Sequence, residues 1–453
     1  MRNIIQNRGG TMARTEAADI TAVRQLVSRR GGLIGQCVPL EAFEGSHDWH
    51  VYASNLGDLT DVVPSIGVAG AAGGDVQLGG AGTSQDELLA SDIAAVEGLE
   101  RYSSCVWEDL PVRWATERQM REKGEPHLDI MTLPTIGKME QEQSSKYLAR
   151  PHLDRPLRWI RGVDLDGFTP AWVPLICTYL FVSPVALGER IWNPISTGCA
   201  SHTSKDAALL AGVLECIERE SIAVVWLQRL SLPVIDPDSL PAAHHAYVND
   251  FEQHGAQVSL IDATTDLRVP TVYCLVRRPG RLVAQLVTCA SDTSGEGAAL
   301  KALREAQSTL VALETNTAAL PENVMDFHDT IHGAVYMADP ERTTAFDFVD
   351  ASNDRVSLSS LPDLGEDPTE ALFSTLAVLR ERGLKAYAVD MTTDEGARSG
   401  FISVKAIIPG LVPLSFIHSS RFLGTSRLYE LPEFFNQPTS PEEEINPWPQ
   451  PFA

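Results

Sequence analysis

The sequence predicts an α+β fold of mixed, mainly antiparallel sheets with helices packed on one side. Three observations lead there. Strand-like runs recur without the regular strand–helix alternation of a doubly wound sheet. Several neighbouring runs are joined by short Gly/Pro/Asp turns, as at Arg278-Pro279-Gly280, and read as hairpins. Three Ala/Leu-rich segments opened by Ser, Thr or Asp read as helices.

Taken in order, residues 1–18 are polar and are expected to be a flexible terminus, with one domain over 19–453. The first helix is expected to open at Ser84-Gln85-Asp86-Glu87, a capping-box pattern, after the Gly-rich turn Gly79-Gly80-Ala81-Gly82. It ends in Glu97-Gly98-Leu99-Glu100-Arg101. Strands are expected at 158–164 and 172–182. Pro174 and Pro184 make the uncharged run 172–187 a better fit to buried strands than to a membrane span. The second helix opens near Thr203-Ser204-Lys205-Asp206, stays apolar for two turns, then presents Glu215, Glu218 and Arg219. Strands follow at 257–262, 271–277 and 281–288. The third helix opens near Thr293-Ser294-Gly295-Glu296 and carries Lys301 and Glu305. Residues 321–370 read as a surface insertion or short helices, and 385–390 and 402–408 as the last strands.

Glu97/Glu100 and Glu215/Glu218 are carboxylates three apart on one helix face, where like charges repel by about 0.2–0.5 kcal/mol. A solvated face explains one such pair. The recurrence, with Glu305 on a third helix, points to positive charge between the helices, and a hard divalent cation with oxygen ligands suits it. Arg101 and Arg219 each follow an acidic pair, so a local salt bridge is the alternative to a role on a ligand. His202 follows a turn, where a structural part and a ligand contact are both open.

Composition narrows the function classes. The 453 residues carry 36 basic and 60 acidic side chains, a formal charge of -24. There is no basic excess to neutralise nucleic-acid phosphates. Seven cysteines are scattered without a CxxC pair, which removes sequence support for structural zinc and fits free thiols in a reducing cytoplasm. No signal peptide or membrane span is visible, and the phosphate-loop pattern GxxxxGK[ST] does not occur.

These residues resemble one family, the YcaO-domain proteins, over roughly residue 20 to the C-terminus. The resemblance rests on 80–84 before the ExxER segment 97–101. It also rests on Ser196, Gly198 and Ala200 before Glu215, Glu218 and Arg219; on Glu305-Ala306-Gln307; and on the tail Asn446-Pro447-Trp448-Pro449-Gln450-Pro451. It implies a YcaO-like fold around a central ATP/Mg2+ site. Glu97, Glu100, Glu215, Glu218 and Glu305 would hold Mg2+. Arg101, Ser196, Arg219 and Lys301 would join them in binding ATP, with Lys301 standing where an Arg is usual. Pro447, Pro449, Pro451 and Ala453 would form a catalytic tail that enters the site, anchored by Trp448 and Phe452. The implied activity is ATP-dependent activation of backbone amides in a ribosomally made precursor peptide, converting Cys, Ser or Thr to azolines. Thioamide or amidine formation, or a non-catalytic scaffold, are the alternatives. Residues 1–60 are too short for a fused E1-like region, so a separate E1-like, leader-binding partner is expected. A flavin dehydrogenase and a homodimer stay open as further partners.

Overall fold

The computed structural model describes residues 20–41, 49–60, 63–71, 78–143, 148–316 and 319–452. The expected flexible terminus and Ala453 lie outside them. The described strands form three sheets. In the first, β1 (Gln36–Leu40), β2 (His50–Asn55) and β3 (Ala81–Ser84) pair antiparallel in that order. The second contains β4 (Arg113–Ala115), β5 (Leu157–Asp164), β6 (Thr169–Pro174), β7 (Cys199–His202), β13 (Tyr387–Asp390) and β14 (Ile402–Ile407). Its order is β4-β5-β13-β14-β7, with β6 paired to β5. The third runs β11-β10-β9-β8-β12 and is built from β8 (Val234–Ile235), β9 (Gln257–Asp262), β10 (Thr271–Arg277), β11 (Gln285–Ser291) and β12 (Arg355–Val356). Among the described strands only β12 and β8 pair in parallel, so the mixed, mainly antiparallel expectation holds.

Three long helices organise these sheets: α1 (Glu87–Ser103), α2 (Lys205–Gln228) and α3 (Gly295–Thr315). The caps of α2 and α3 fall on Ser204 and Ser294, each accepting from the backbone N–H three residues on. The α1 cap is Asp86, which accepts from Leu89 N–H. Ser84 instead ends β3, and the Gly-rich segment is mostly strand.

The helices do not keep to one side as expected. The apolar second half of α2 packs on one face of the third sheet beside Ile261, Tyr273 and Val287. Ala298, Ala302 and Ala306 of α3 cover the other face beside Val272 and Cys274. A strand covered on both faces is buried throughout rather than alternating, and β11, although it ends the sheet, is buried at every position. The first half of α2 packs on the second sheet, so α2 is sandwiched between two sheets.

One further expectation changes. Of the strand expected over 172–182, β6 stops at Pro174 and a buried 3-10 turn follows at Leu175–Cys177, because Pro174 ends the ladder. Residues 321–370 hold short helices, one of the two expected readings, and their Met337 and Phe346 are fully buried against α2 and the third sheet. All seven cysteines are unpaired, and among the described residues no helix is long and apolar enough to cross a membrane.

Candidate functional site

The packing of the three helices is cyclic. α1 lies against β7, the strand before α2; α2 lies against β11, the strand before α3; α3 lies against β3, the strand before α1. This arrangement explains the two ExxER segments residue by residue. The first Glu of each accepts an N–H from the segment leading into its own helix: Glu97 from Ala81 and Glu215 from Gly198, at 2.8 and 2.9 Å. The second Glu accepts from the strand before the next helix: Glu100 from Ser201, and Glu218 from Ser291 at 2.8 Å. The Arg one turn after the first Glu bonds back to it, Arg101 to Glu97 at 3.1 Å and Arg219 to Glu215 at 3.2 Å. Arg219 also lies 3.6 Å from Glu218.

The turn before β7 has no room for a side chain. Gly198 has φ +86°, and a Cβ there would lie 2.2 Å from the Ala406 carbonyl oxygen. That backbone fit places the Gly198 N–H on Glu215.

The result is a cleft of about 410 Å³ walled by Ala81–Thr83 of β3, by Glu97 and Arg101 of α1, by Arg219 of α2, by Lys301, Arg304 and Glu305 of α3, and by Phe452 of the tail. Glu215 and Glu218 bond Arg219 beneath this wall. Lys301 Nζ reaches Glu218 at 3.3 Å and Glu305 at 4.0 Å. Burial pushes the Glu100 carboxyl up to about 8, helped by the charge of Glu215. Burial also raises Glu305 to about 7, opposed chiefly by the neighbouring Lys301. Burial alone would lower Lys301 and Arg219, but the surrounding carboxylates hold both above their ordinary values.

Among the described residues, no three acidic, His or Cys side chains are grouped as a ready-made metal cage. Arg101, Arg219 and Lys301 stand between the carboxylates instead. The donor set nonetheless suits Mg2+: hard carboxylate oxygens, crowded enough for two of them to hold protons more tightly than usual.

Other expected residues fall differently. Ser196 does not line the cleft; its carbonyl accepts the Cys199 N–H in the turn, and its neighbours Ile195 and Thr197 face a separate small cavity. His202 is structural, its Nδ1 accepting the Ser204 N–H at 2.9 Å. Gln307 turns away and donates to Asp250. Arg304, which donates to the Tyr247 hydroxyl, and Thr288 are cleft residues without a spacing signal.

The tail is docked. The last turn of a helix leaves carbonyls without partners, and in α2 the Asn446 backbone N–H donates to Leu227 O while its side-chain Nδ2 donates to Trp226 O. Pro447 is exposed, and Trp448 is 37% exposed with its ring tilted toward Tyr336. Its carbonyl is held as well, accepting from Trp226 Nε1. Pro449 and Pro451 are buried. Phe452 is 3% exposed and sits edge-on to Tyr273, bringing the tail to the cleft.

Residues 79–412 match the family model described as YcaO cyclodehydratase, ATP- and Mg2+-binding. The chain belongs to the YcaO family. A protein of Rhizobium leguminosarum bv. trifolii described as an uncharacterized protein in the tfuA 3' region is 30% identical over 174 residues, 35% of this chain and 40% of that protein. This YcaO chain therefore spans under half the length of that relative. A structure titled as a heterocyclase in complex with substrate and cofactor has a TM-score of 0.76 at 17% identity, covering 96% of this chain and 57% of that one. YcaO from Methanopyrus kandleri, bound with AMPPCP and Mg2+, has a TM-score of 0.62 at 17% identity, covering 86% and 90%. Both establish the YcaO fold.

Proposed function

We propose that this chain is an ATP-dependent cyclodehydratase that activates backbone amides of a precursor peptide and converts Cys, Ser or Thr to azolines. One observation carries the reading: Glu97, Arg101, Arg219, Lys301 and Glu305 from three helices line one cleft, with Glu215 and Glu218 paired to Arg219 beneath it and Glu100 close enough to feel the charges of Glu215 and Arg101. Glu97, Glu100, Glu215, Glu218 and Glu305 are the residues that would hold Mg2+, and Arg101, Arg219 and Lys301 the nucleotide phosphates. When bound, Mg2+ and ATP supply the phosphoryl group that makes a carbonyl oxygen a leaving group.

The chain's own part is electrostatic and positional. The Arg219 guanidinium is held from beneath by Glu215 and Glu218, so it meets charge in the cleft already oriented. Lys301 is a point charge on a longer stem and is 44% exposed, free to follow a moving phosphate. Phe452 and the buried Pro451 close one side against water. The fold shared with the heterocyclase structure in complex with substrate and cofactor supports the reading. A separate leader-binding partner and a cytoplasmic setting complete the proposal.

The test is the mass of a precursor peptide co-expressed with this chain and its partner. Loss of one water per modified Cys, Ser or Thr is expected. Exchange of oxygen for sulfur without water loss would replace azoline formation by thioamide formation, and no mass change would remove the proposal.

A further inference from the structure

Inside the cleft, among the described residues, one strand edge is left unpaired. Strand β3 ends its sheet and pairs, among the described strands, only with β2. On the β2 side, Gly80 O accepts the Ser54 N–H at 2.8 Å. The Ala81 N–H points the other way and donates to Glu97 Oε2 at 2.8 Å. Backbone groups alternate along a strand, so the Thr83 N–H and the carbonyls of Ala81 and Thr83 also face away from β2.

Helix α1 seals one face of this strand. A Cβ on Gly82 would lie 2.1 Å from Ala90 O, and one on Gly80 would lie 2.5 Å from Glu97 Cβ. The strand is therefore pressed on the helix, and Glu97 is held against Ala81. Its Oε2 accepts the Ala81 N–H as the carbonyl of a next strand would.

Thr83 adds an independent sign of a missing partner. It is 7% exposed, lines the cleft, and its Oγ1 has no hydrogen-bond partner among the described residues. A buried hydroxyl left this way is unfavourable until something bonds to it. An open strand edge is a template for another extended backbone.

We infer that the free edge of β3 binds the backbone of the substrate peptide as an added strand, through the Thr83 N–H, the Ala81 and Thr83 carbonyls and the Thr83 hydroxyl. The inference rests on the amide-activation reading and deepens it. It places the peptide's amides in the same cleft as Arg101, Arg219 and Lys301. A peptide backbone offers donors and acceptors that alternate in step with those of an edge strand, whereas nucleotide phosphates offer acceptors only and leave the two carbonyls unanswered. It also gives a sequence-tolerant grip, since backbone pairing does not read side chains.

The experiment uses the full chain with its partner and a precursor peptide shown to lose water on co-expression with them. Thr83→Pro removes the outward N–H without touching the ladder to β2, because Pro is tolerated where the N–H faces away from the neighbouring strand. Thr83→Val removes only the hydroxyl and guards against a folding failure of the proline variant. The expected result is a rise in KM for the peptide of about tenfold for Thr83→Pro and about fivefold for Thr83→Val, with KM for ATP unchanged. In the wild type, the Thr83 amide should gain hydrogen-exchange protection on adding the peptide and not on adding Mg–AMPPCP. An unchanged peptide KM in both variants, or protection by Mg–AMPPCP alone, overturns the inference while leaving the cyclodehydratase reading in place. If the wild type modifies no peptide, that reading itself fails and takes the inference with it.

Discussion

Replacing Lys301 with Ala separates a nucleotide role from a structural one. The Nζ lies 3.3 Å from Glu218 Oε2 and 4.0 Å from Glu305 Oε1. The side chain is 44% exposed, so water screens both pairs, and their joint worth to folding is about 1 kcal/mol or less. Glu218 is not orphaned by the change, since the Ser291 N–H and Arg219 remain. The melting temperature should therefore fall by about 2–4 °C at most. A cation that meets developing phosphoryl charge is a different matter: losing one preorganised charge stabiliser costs about 10²–10³ in turnover. The assay pairs phosphate release in the presence of precursor peptide with calorimetric melting of the same preparation. Unchanged ATP turnover in a folded variant would refute the assignment. A large drop in melting temperature would make Lys301 a structural counter-ion instead.

Three further outcomes follow from the geometry. Glu100 is raised from its ordinary 4.5 to about 8, so the folded chain keeps a proton that the unfolded chain releases. Its contribution to stability is fully present below 4.5 and is lost as pH rises through about 8, and Glu100→Gln should flatten that part of a melting-temperature profile against pH. Phe452→Ala should cost about 3–5 kcal/mol by denaturant unfolding and abolish peptide modification; it is a cleaner probe than deleting from Asn446, which would also strip the last carbonyls of α2 of their partners. Gly198→Ala puts a methyl group 2.2 Å from Ala406 O at φ +86°, so it should destabilise by about 2 kcal/mol or more and weaken ATP turnover by displacing the N–H on Glu215.

How much of this was legible depended on whether the signal was local. The starts of α2 and α3 are local signals, and the caps Ser204 and Ser294 fall within the openings expected near 203–206 and 293–296. β9 and β10 matched their expected limits because Gly/Pro/Asp-rich turns bound them. The ExxER spacing announced carboxylates needing positive partners, yet their backbone donors are long-range: Ser201 and Ser291 belong to neighbouring strands that no periodicity connects to Glu100 and Glu218. The Gly-rich segment misled because glycine marks flexible loops and close packing alike; here Gly80 and Gly82 let α1 press on β3. In 321–370 short helices were one of two readings, but their burial was not legible, because the few large apolar residues are widely spaced and Met337 and Phe346 reach the core from separate short helices. Buried charges such as Glu220, paired to Arg427 at 2.7 Å, were invisible for the same reason.

The central claim is that the carboxylates and cations of three helices act as one metal–nucleotide site. Calorimetric titration of Mg–AMPPCP into the wild type and into Glu305→Gln tests it most directly, since Glu305 is partly exposed and, among the described residues, its one ion pair is the 4.0 Å contact with Lys301. The account expects Mg2+-dependent binding by the wild type, proton release that grows as pH falls below about 7, and affinity lower by about tenfold in the variant. Equal binding by both proteins, or binding indifferent to Mg2+, would contradict it.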